Sequence, residues 1–273
     1  ALAIHQDSHP DLDETFADCL NQFPDTDNAF AVLQRCSQKN TDSAPLFVAL
    51  GELAVALDHP ADALLAFERA EALGAATAEM YQLWGASVIA LGDPLRGEPL
   101  FETALELAPE EVSDTYSAWG KALCDAGHTR AAKEKLKVAI AADNRAFYPH
   151  AYLGVAHLQD ANNEADEQLR RPFEEQAVGA FKRALDLLPT GHDAYASWIV
   201  LELANVIERV EGPKPTEALI ADQLRRGRYS PQLFEKINKI RTLPLGASAK
   251  HFVLIIAGED GGRAWAALEQ RLH

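Results

Sequence analysis

AEMYQLWGASVIALGDPLRGEPLFETALELAPEEV, residues 78–112, is the stretch on which the fold turns. Gly92-Asp93-Pro94 splits it in two, because glycine stops one helix and proline opens the next. Both flanks are rich in Ala and Glu, which favour helix, with bulky residues spaced to share a helix face. The stretch therefore predicts a helical hairpin.

Working outward, Gly85 is one rung of a ladder. Ala17, Gly51, Gly85, Gly120 and Gly154 follow one another at steps of 34, 34, 35 and 34 residues. A fixed period of this length marks stacked supersecondary units, since one hairpin cannot bury its apolar face alone. Units numbered from Pro10, Ala44, Ala78, Ser113 and Phe147 put the ladder at position 8. Position 20 holds Ala29, Ala63, Gly97 and Ala132, and position 27 holds Cys36, Ala70, Ala104 and Ala139. Those small residues predict close helix approach. Position 24 holds Leu33, Phe67, Phe101 and Leu136, and position 7 holds Phe16, Leu50, Trp84, Trp119 and Leu153, which predict the filling between helices. Pro24-Asp25, Asp58-His59-Pro60 and Gly127-His128-Thr129 break the other units as Gly92-Asp93-Pro94 breaks this one.

The run Tyr81-x-x-Trp84-Gly85, Leu91-Gly92-Asp93, Phe101-Glu102, Ala104-Leu105 and Pro109 resembles the tetratricopeptide repeat family. The resemblance covers Pro10 to Gly191. It implies an all-α superhelix, a solenoid of antiparallel helix pairs whose concave face is lined by the first helix of each pair and grips a peptide or helix. The expected organisation is an N-terminal extension over 1–9, hairpins over 10–43, 44–77, 78–112, 113–146 and 147–191, and a C-terminal helical region over 192–273.

The fifth unit departs from the period. Its second-helix signature, Ala177, Phe181, Ala184 and Pro189, arrives 11 residues late, so an insert is expected within 159–172. The polar Asn162-Asn163 and Arg170-Arg171 pairs there read as a surface extension or as a recognition element. His192 to Val210 reads as a helix stopped by Gly212-Pro213, and Pro215 to Gly227 and Pro231 to Arg241 as two more. Residues 251–257 have strand propensity, but the pattern after them favours a degenerate hairpin that caps the stack.

The chain has 273 residues, 48% of them hydrophobic, and a formal charge of −16. Such a charge repels phosphate backbones, so no nucleic-acid partner is expected, and basic or neutral protein partners are favoured. The longest apolar run, Phe252 to Ala257, is far short of the roughly 20 residues that span a bilayer. Ala1-Leu2-Ala3 fits either the trimmed start of a cytoplasmic chain, which is favoured, or the scar of an export signal.

Chemistry-bearing patterns are sparse. Cys19, Cys36 and Cys124 form no CxxC, and Cys36 reads as a packing residue where sister units carry Ala. His59 and His128 fall in turns, while His150 and His157 share one helix face as interior residues. Neither HExxH nor a calcium loop is present, because Asp7, Asp11 and Asp13, like Asp25 and Asp27, lack the following Gly and Glu. No cofactor, metal or catalytic set is expected.

The repeat register that the resemblance implies assigns positions 2, 5, 9 and 12 of each first helix to the groove. Its candidate residues are Glu52, Glu79, Gln82, Ile89, Asp114, Ser117, Lys121 and Tyr148, with Cys124 beside them. Chaperone-tail binders of the family place Lys and Asn at positions 5 and 9, whereas this chain has Val48 and Glu52, Gln82 and Ala86, or Ser117 and Lys121. That carboxylate clamp is missing. A second candidate is the basic patch Arg225, Arg226, Arg228, Lys236, Lys239 and Arg241, suited to an acidic partner or the protein's own acidic repeats. The expected function is a noncatalytic scaffold that binds a peptide or helix of another protein. A sensor for a small ligand or signalling peptide is the alternative, and an enzyme with a site between the repeats and the C-terminal region is a third, weaker one.

Overall fold

The computed structural model describes residues 26–189 and 193–212, with positions 215, 216, 218, 219 and 222. Among these the secondary structure is helical, without a strand. Unit 1, up to Ala142, contains α1 (Thr26–Ser37), α2 (Ala44–Ala56), α3 (Pro60–Ala72), α4 (Ala78–Ala90), α5 (Pro94–Leu107), α6 (Val112–Asp125) and α7 (Thr129–Ala142). Unit 2, from Asp143, contains α8 (Phe147–Asn163), α9 (Glu167–Leu187) and α10 (Asp193–Val210). The architecture is an all-α solenoid of helical hairpins. The 1–9 extension, the first helix of the first hairpin with Ala17 and Cys19, the basic patch, and the 251–257 segment with its capping hairpin all lie outside the described residues.

The second to fifth hairpins are each closed by the small-to-large pair that the ladder predicts. A Cβ on Gly85 would lie 2.8 Å from the Phe101 ring, one on Gly120 2.5 Å from Leu136, and one on Gly154 2.8 Å from Phe181, while Gly51 is likewise filled by Phe67. Phe67, Phe101, Leu136 and Phe181 are all fully buried. Removing the side chain at position 8 thus makes the socket for position 24, and dispersion contacts on every side of the ring hold the two helices together. Cys36 is buried at position 27 beside Leu33 in the same core, as Ala70, Ala104 and Ala139 are in theirs. The packing reading of this cysteine is the observed one.

Turns and caps come from the breakers. Position 15 takes positive φ in three successive units, at Asp58 (59°), Gly92 (90°) and Gly127 (80°), which reverses the chain at once. Asp93 then accepts a hydrogen bond from the Arg96 N–H at 3.0 Å and Pro94 occupies the first turn, so α5 starts with its exposed N–H groups partly satisfied.

Neighbouring hairpins of unit 1 are joined by rings and charges. Phe101 of α5 stacks on Trp119 of α6 with centroids 5.2 Å apart and planes 2° from parallel. The Lys135 ammonium of α7 sits 3.3 Å from the centroid of the Trp119 ring and 3.0 Å from Glu98 of α5. The Tyr81 hydroxyl donates to Glu71 at 2.7 Å, and burial, reinforced by that hydrogen bond and the carboxylate charge, pushes the phenol up to about 12. It stays a donor throughout the physiological range.

In unit 2 the insert is spent as helix rather than as a loop. α8 runs 17 residues and α9 runs 21, against 13 or 14 for α2 to α7. The sequence between Asn163 and Glu175 is rich in Glu, Gln, Leu and Arg, which favour helix, and Asp166 caps α9 by accepting from the Gln168 N–H at 2.8 Å. The lengthened helix is anchored by Glu174, a buried carboxylate that accepts from Arg209 of α10 at 2.8 Å and lies 3.8 Å from Arg170. A buried carboxylate is tolerated only with such partners.

His150, on α8, is held below the ordinary histidine range, chiefly by burial and then by the Arg183 charge, against a hydrogen bond to the Asn144 backbone. Its folded form favours the neutral imidazole, so the unfolded chain takes up the proton first. Stability from this group is complete above about pH 6.5 and is lost as pH falls through that value toward the lower folded pKa. Melting curves recorded between neutral and mildly acidic pH should therefore show a loss in the parent protein that His150→Gln lacks. Equal slopes for both would contradict this assignment.

Candidate functional site

The first helices α2, α4 and α6 of unit 1 pack side by side in a row, whereas the backbones of the second helices α3, α5 and α7 stand farther apart and are linked by the ion pairs Arg96–Glu68 and Lys135–Glu98. In a stack of hairpins the more closely spaced row is the inner side of the curve. The inner face of unit 1 is thus built from first helices, as the repeat resemblance implies.

Which residues lie on that face follows from helix geometry. At 100° per residue, positions 2, 9 and 13 fall within about 20° of one line, while positions 5 and 12 sit some 60–80° to one side. The exposure pattern obeys this. Glu79 and Asp114 at position 2 and Ala56, Ala90 and Asp125 at position 13 are exposed, and Glu52, Ala86 and Lys121 at position 9 are half-buried. Val48, Val55, Leu83 and Ala118 supply the half-buried floor between them. Along the helices the face is acidic at position 2 (Glu79, Asp114), mixed at position 9 (Glu52, Ala86, Lys121) and mostly small at position 13 (Ala56 and Ala90, with Asp125).

Three expected groove residues are corrected. Ile89 is fully buried and packs against Gly97 of α5, where a Cβ would come within 2.7 Å of it. Ser117 is 4% exposed and donates to the Ser113 carbonyl at 2.6 Å, and Cys124 is fully buried. All three stand at positions 5 or 12, turned toward the neighbouring helices rather than toward a partner. Gln82, also at position 5, is half-buried and donates from Nε2 to Thr115 Oγ1 at 2.9 Å, so it ties α4 to α6. Ala56, Ala90 and Asp125 were missed by the register, although the 100° arithmetic places position 13 beside positions 2 and 9.

Lys121 lies 2.6 Å from Asp125 one turn later, with both side chains about half exposed. Glu79 and Asp114 occupy the first turns of α4 and α6, where a carboxylate also complements the helix dipole. Asp125, the last residue of α6, sits at the end the dipole disfavours and is balanced by Lys121 instead.

Tyr148 belongs to unit 2 and to a different setting. Phe147, Tyr148 and Tyr152 of α8 meet Tyr195 and Trp198 of α10, with centroids 5.4 Å apart for Phe147–Tyr195, 6.0 Å for Tyr148–Tyr195 and 5.3 Å for Tyr152–Trp198. These contacts are within the range of favourable aromatic pairs and hold α8 to α10. The sequence shows the individual rings, but their meeting depends on the packing of two helices 30 or more residues apart. Glu202, one turn beyond Trp198, is pushed up by burial against the opposing Arg209 charge.

Among the described residues no group of His, Cys, Asp and Glu is placed to hold a metal ion, and no helix is long and apolar enough to cross a membrane.

Solved structures that superpose on this chain include a TPR repeat-containing protein. The fold is the tetratricopeptide-repeat fold. PilW, a widely conserved type IV pilus biogenesis factor, superposes with a TM-score of 0.58 at 15% identity, covering 82% of this chain and 96% of PilW. The human IFIT1 dimer with PPP-AAAA gives 0.53 at 16% identity over 97% of this chain and 73% of IFIT1. The C-terminal part of a TPR repeat-containing protein from Cytophaga hutchinsonii gives 0.50 at 12% identity over 87% of this chain and 97% of that one. No family model matches the sequence, and no curated protein does. At these identities the tetratricopeptide-repeat likeness is one of fold.

Proposed function

We propose that the protein is a noncatalytic interaction scaffold that binds a peptide or helix of another protein on the first-helix face of unit 1. The observation that carries this reading is the row α2, α4 and α6, whose outward side chains include the small Ala56, Ala86 and Ala90 over a half-buried apolar layer of Val48, Val55, Leu83 and Ala118, with charged residues beside them. Such a surface offers burial for a small apolar stripe and directed polar contacts at its borders, the two terms that fix affinity and orientation in groove recognition. The absence of the Lys and Asn clamp separates it from carboxylate-terminal capture.

The test is affinity capture from the source cell with the parent chain, with Ala56→Trp combined with Ala90→Trp, and with Leu95→Gln. Both alanines are exposed, so the indoles block this face without entering the core. Leu95, 81% exposed on α5, lies on the second-helix layer. A partner retained by the parent and the Leu95 variant but weakened roughly tenfold or more by the double tryptophan supports the reading. Equal retention by all three would refute it.

A further inference from the structure

Helices α8 and α10 of unit 2 run the same way, because Tyr148 meets Tyr195 at 6.0 Å and, one turn on, Tyr152 meets Trp198 at 5.3 Å. Continuing that register brings Val155 of α8 level with Glu202 of α10. At 100° per residue Tyr148, Tyr152 and Val155 share one side of α8 within about 60°, and Tyr195, Trp198 and Glu202 share one side of α10 within the same spread. Rings and a carboxylate thus line one strip. Tyr195 is 42% exposed and the other five residues are half-buried, with Val155 and Trp198 also resting on the buried core of unit 2. Solvent reaches every member.

Glu202 is the member that the packing leaves unexplained. Among the described residues it accepts no hydrogen bond and enters no ion pair. The Arg209 charge acts on it, but the Arg209 Nε donates to Glu174 of α9 at 2.8 Å. Burial outweighs that charge and holds the Glu202 carboxyl above its ordinary range. A carboxylate partly withdrawn from water and short of a donor costs free energy until a donor arrives. The faces of tyrosine and tryptophan rings, being negative, attract the same kind of group. Both features of the strip call for a cation.

Independently of the groove on unit 1, we propose that this strip binds an arginine side chain presented by another protein, its guanidinium stacked on the rings and hydrogen-bonded to Glu202. A guanidinium is flat and weakly hydrated, so it can stack and donate in one pose, whereas an ammonium gives up a tighter hydration shell and offers no plane. An acidic side chain would be repelled by Glu202 and by the ring faces. A neutral one would use the rings but dehydrate Glu202 further without supplying a donor.

The test uses the full chain labelled with 5-fluorotryptophan, with the Trp198 resonance assigned through Trp198→Phe. Blocked Gly-Arg-Gly, Gly-Lys-Gly and Gly-citrulline-Gly peptides are titrated in, citrulline keeping the shape of arginine without its charge. The Arg peptide should shift the Trp198 resonance saturably with a Kd on the order of 1 mM, the scale of one stacked and hydrogen-bonded cation. The Lys peptide should bind at least about threefold more weakly and the citrulline peptide about tenfold more weakly. Glu202→Gln, which keeps the side-chain volume, should weaken the Arg peptide about tenfold and leave the citrulline peptide within about twofold. Glu175→Gln, the same charge change on an exposed residue of α9, should leave the Arg peptide within about twofold. The proposal falls if the Arg and citrulline peptides bind alike, if Glu202→Gln binds the Arg peptide as the parent does, or if Glu175→Gln weakens it equally. A Trp198 resonance that does not respond overturns it as well. Equal affinities for the Arg and Lys peptides overturn the choice of arginine. None of these outcomes bears on the groove of unit 1.

Discussion

Replacing Phe101 by alanine is expected to cost ~3–5 kcal/mol of folding stability, the range for deleting a fully buried aromatic ring. Phe101 fills the socket left by Gly85, and its other face stacks on Trp119 at 5.2 Å, so one ring serves both the closure of its own hairpin and the joint to the next. Neither helix can collapse into the void, because Gly97 already brings α4 and α5 to backbone contact distance. Urea titration followed by tryptophan fluorescence and by circular dichroism would measure the loss. A loss below about 1 kcal/mol would show that the socket is not the principal clamp.

Gly97→Ala should destabilise by ~1–3 kcal/mol, although alanine is the better helix former. A Cβ there would lie 2.7 Å from Ile89 Cγ1 and 2.9 Å from the Gly85 carbonyl oxygen, and a carbonyl on a helix cannot rotate away as a side chain can. α4 and α5 would have to part. Gly179, within α9, is the control, because a Cβ there meets nothing within 4 Å. Gly179→Ala should stabilise by ~0.5–1 kcal/mol through reduced backbone entropy of the unfolded chain. Thermal melts of the two variants should therefore move in opposite directions. A shared direction would mean that propensity, not contact, governs these positions.

The hairpins were legible in the sequence because their closure is written at fixed spacing: glycine or alanine at position 8, a ring or leucine at position 24, and, in the second to fourth, a breaker with positive φ between them. The inner face was legible only in part. A register read along one helix gives angle, but whether Ile89, Ser117 and Cys124 at positions 5 and 12 meet solvent depends on how near the adjacent helices come. That distance is set by small residues such as Gly97 on another helix, so it cannot be read from α4 or α6 alone. The insert posed the reverse difficulty. Its polar composition marked it as surface, which the exposed residues of α9 are, but polarity does not separate a loop from a solvated helix. Asp166 and the Glu, Gln and Arg that follow it carried the helix signal.

The sockets also bear on how the chain folds. Phe67, Phe101 and Leu136 each close on a glycine 16 positions earlier, and Phe181 closes on Gly154 from 27 positions away, the 11-residue insert being the whole of the difference. Lengthening a closing loop costs only in proportion to the logarithm of its length, so the fifth hairpin gained residues without losing its clasp. All these contacts are short in sequence, which places the described hairpins among low-contact-order, fast-folding topologies. Each hairpin can close on its own residues as they leave the ribosome, before the next has been synthesised, and the stack can then grow in the order in which it is made.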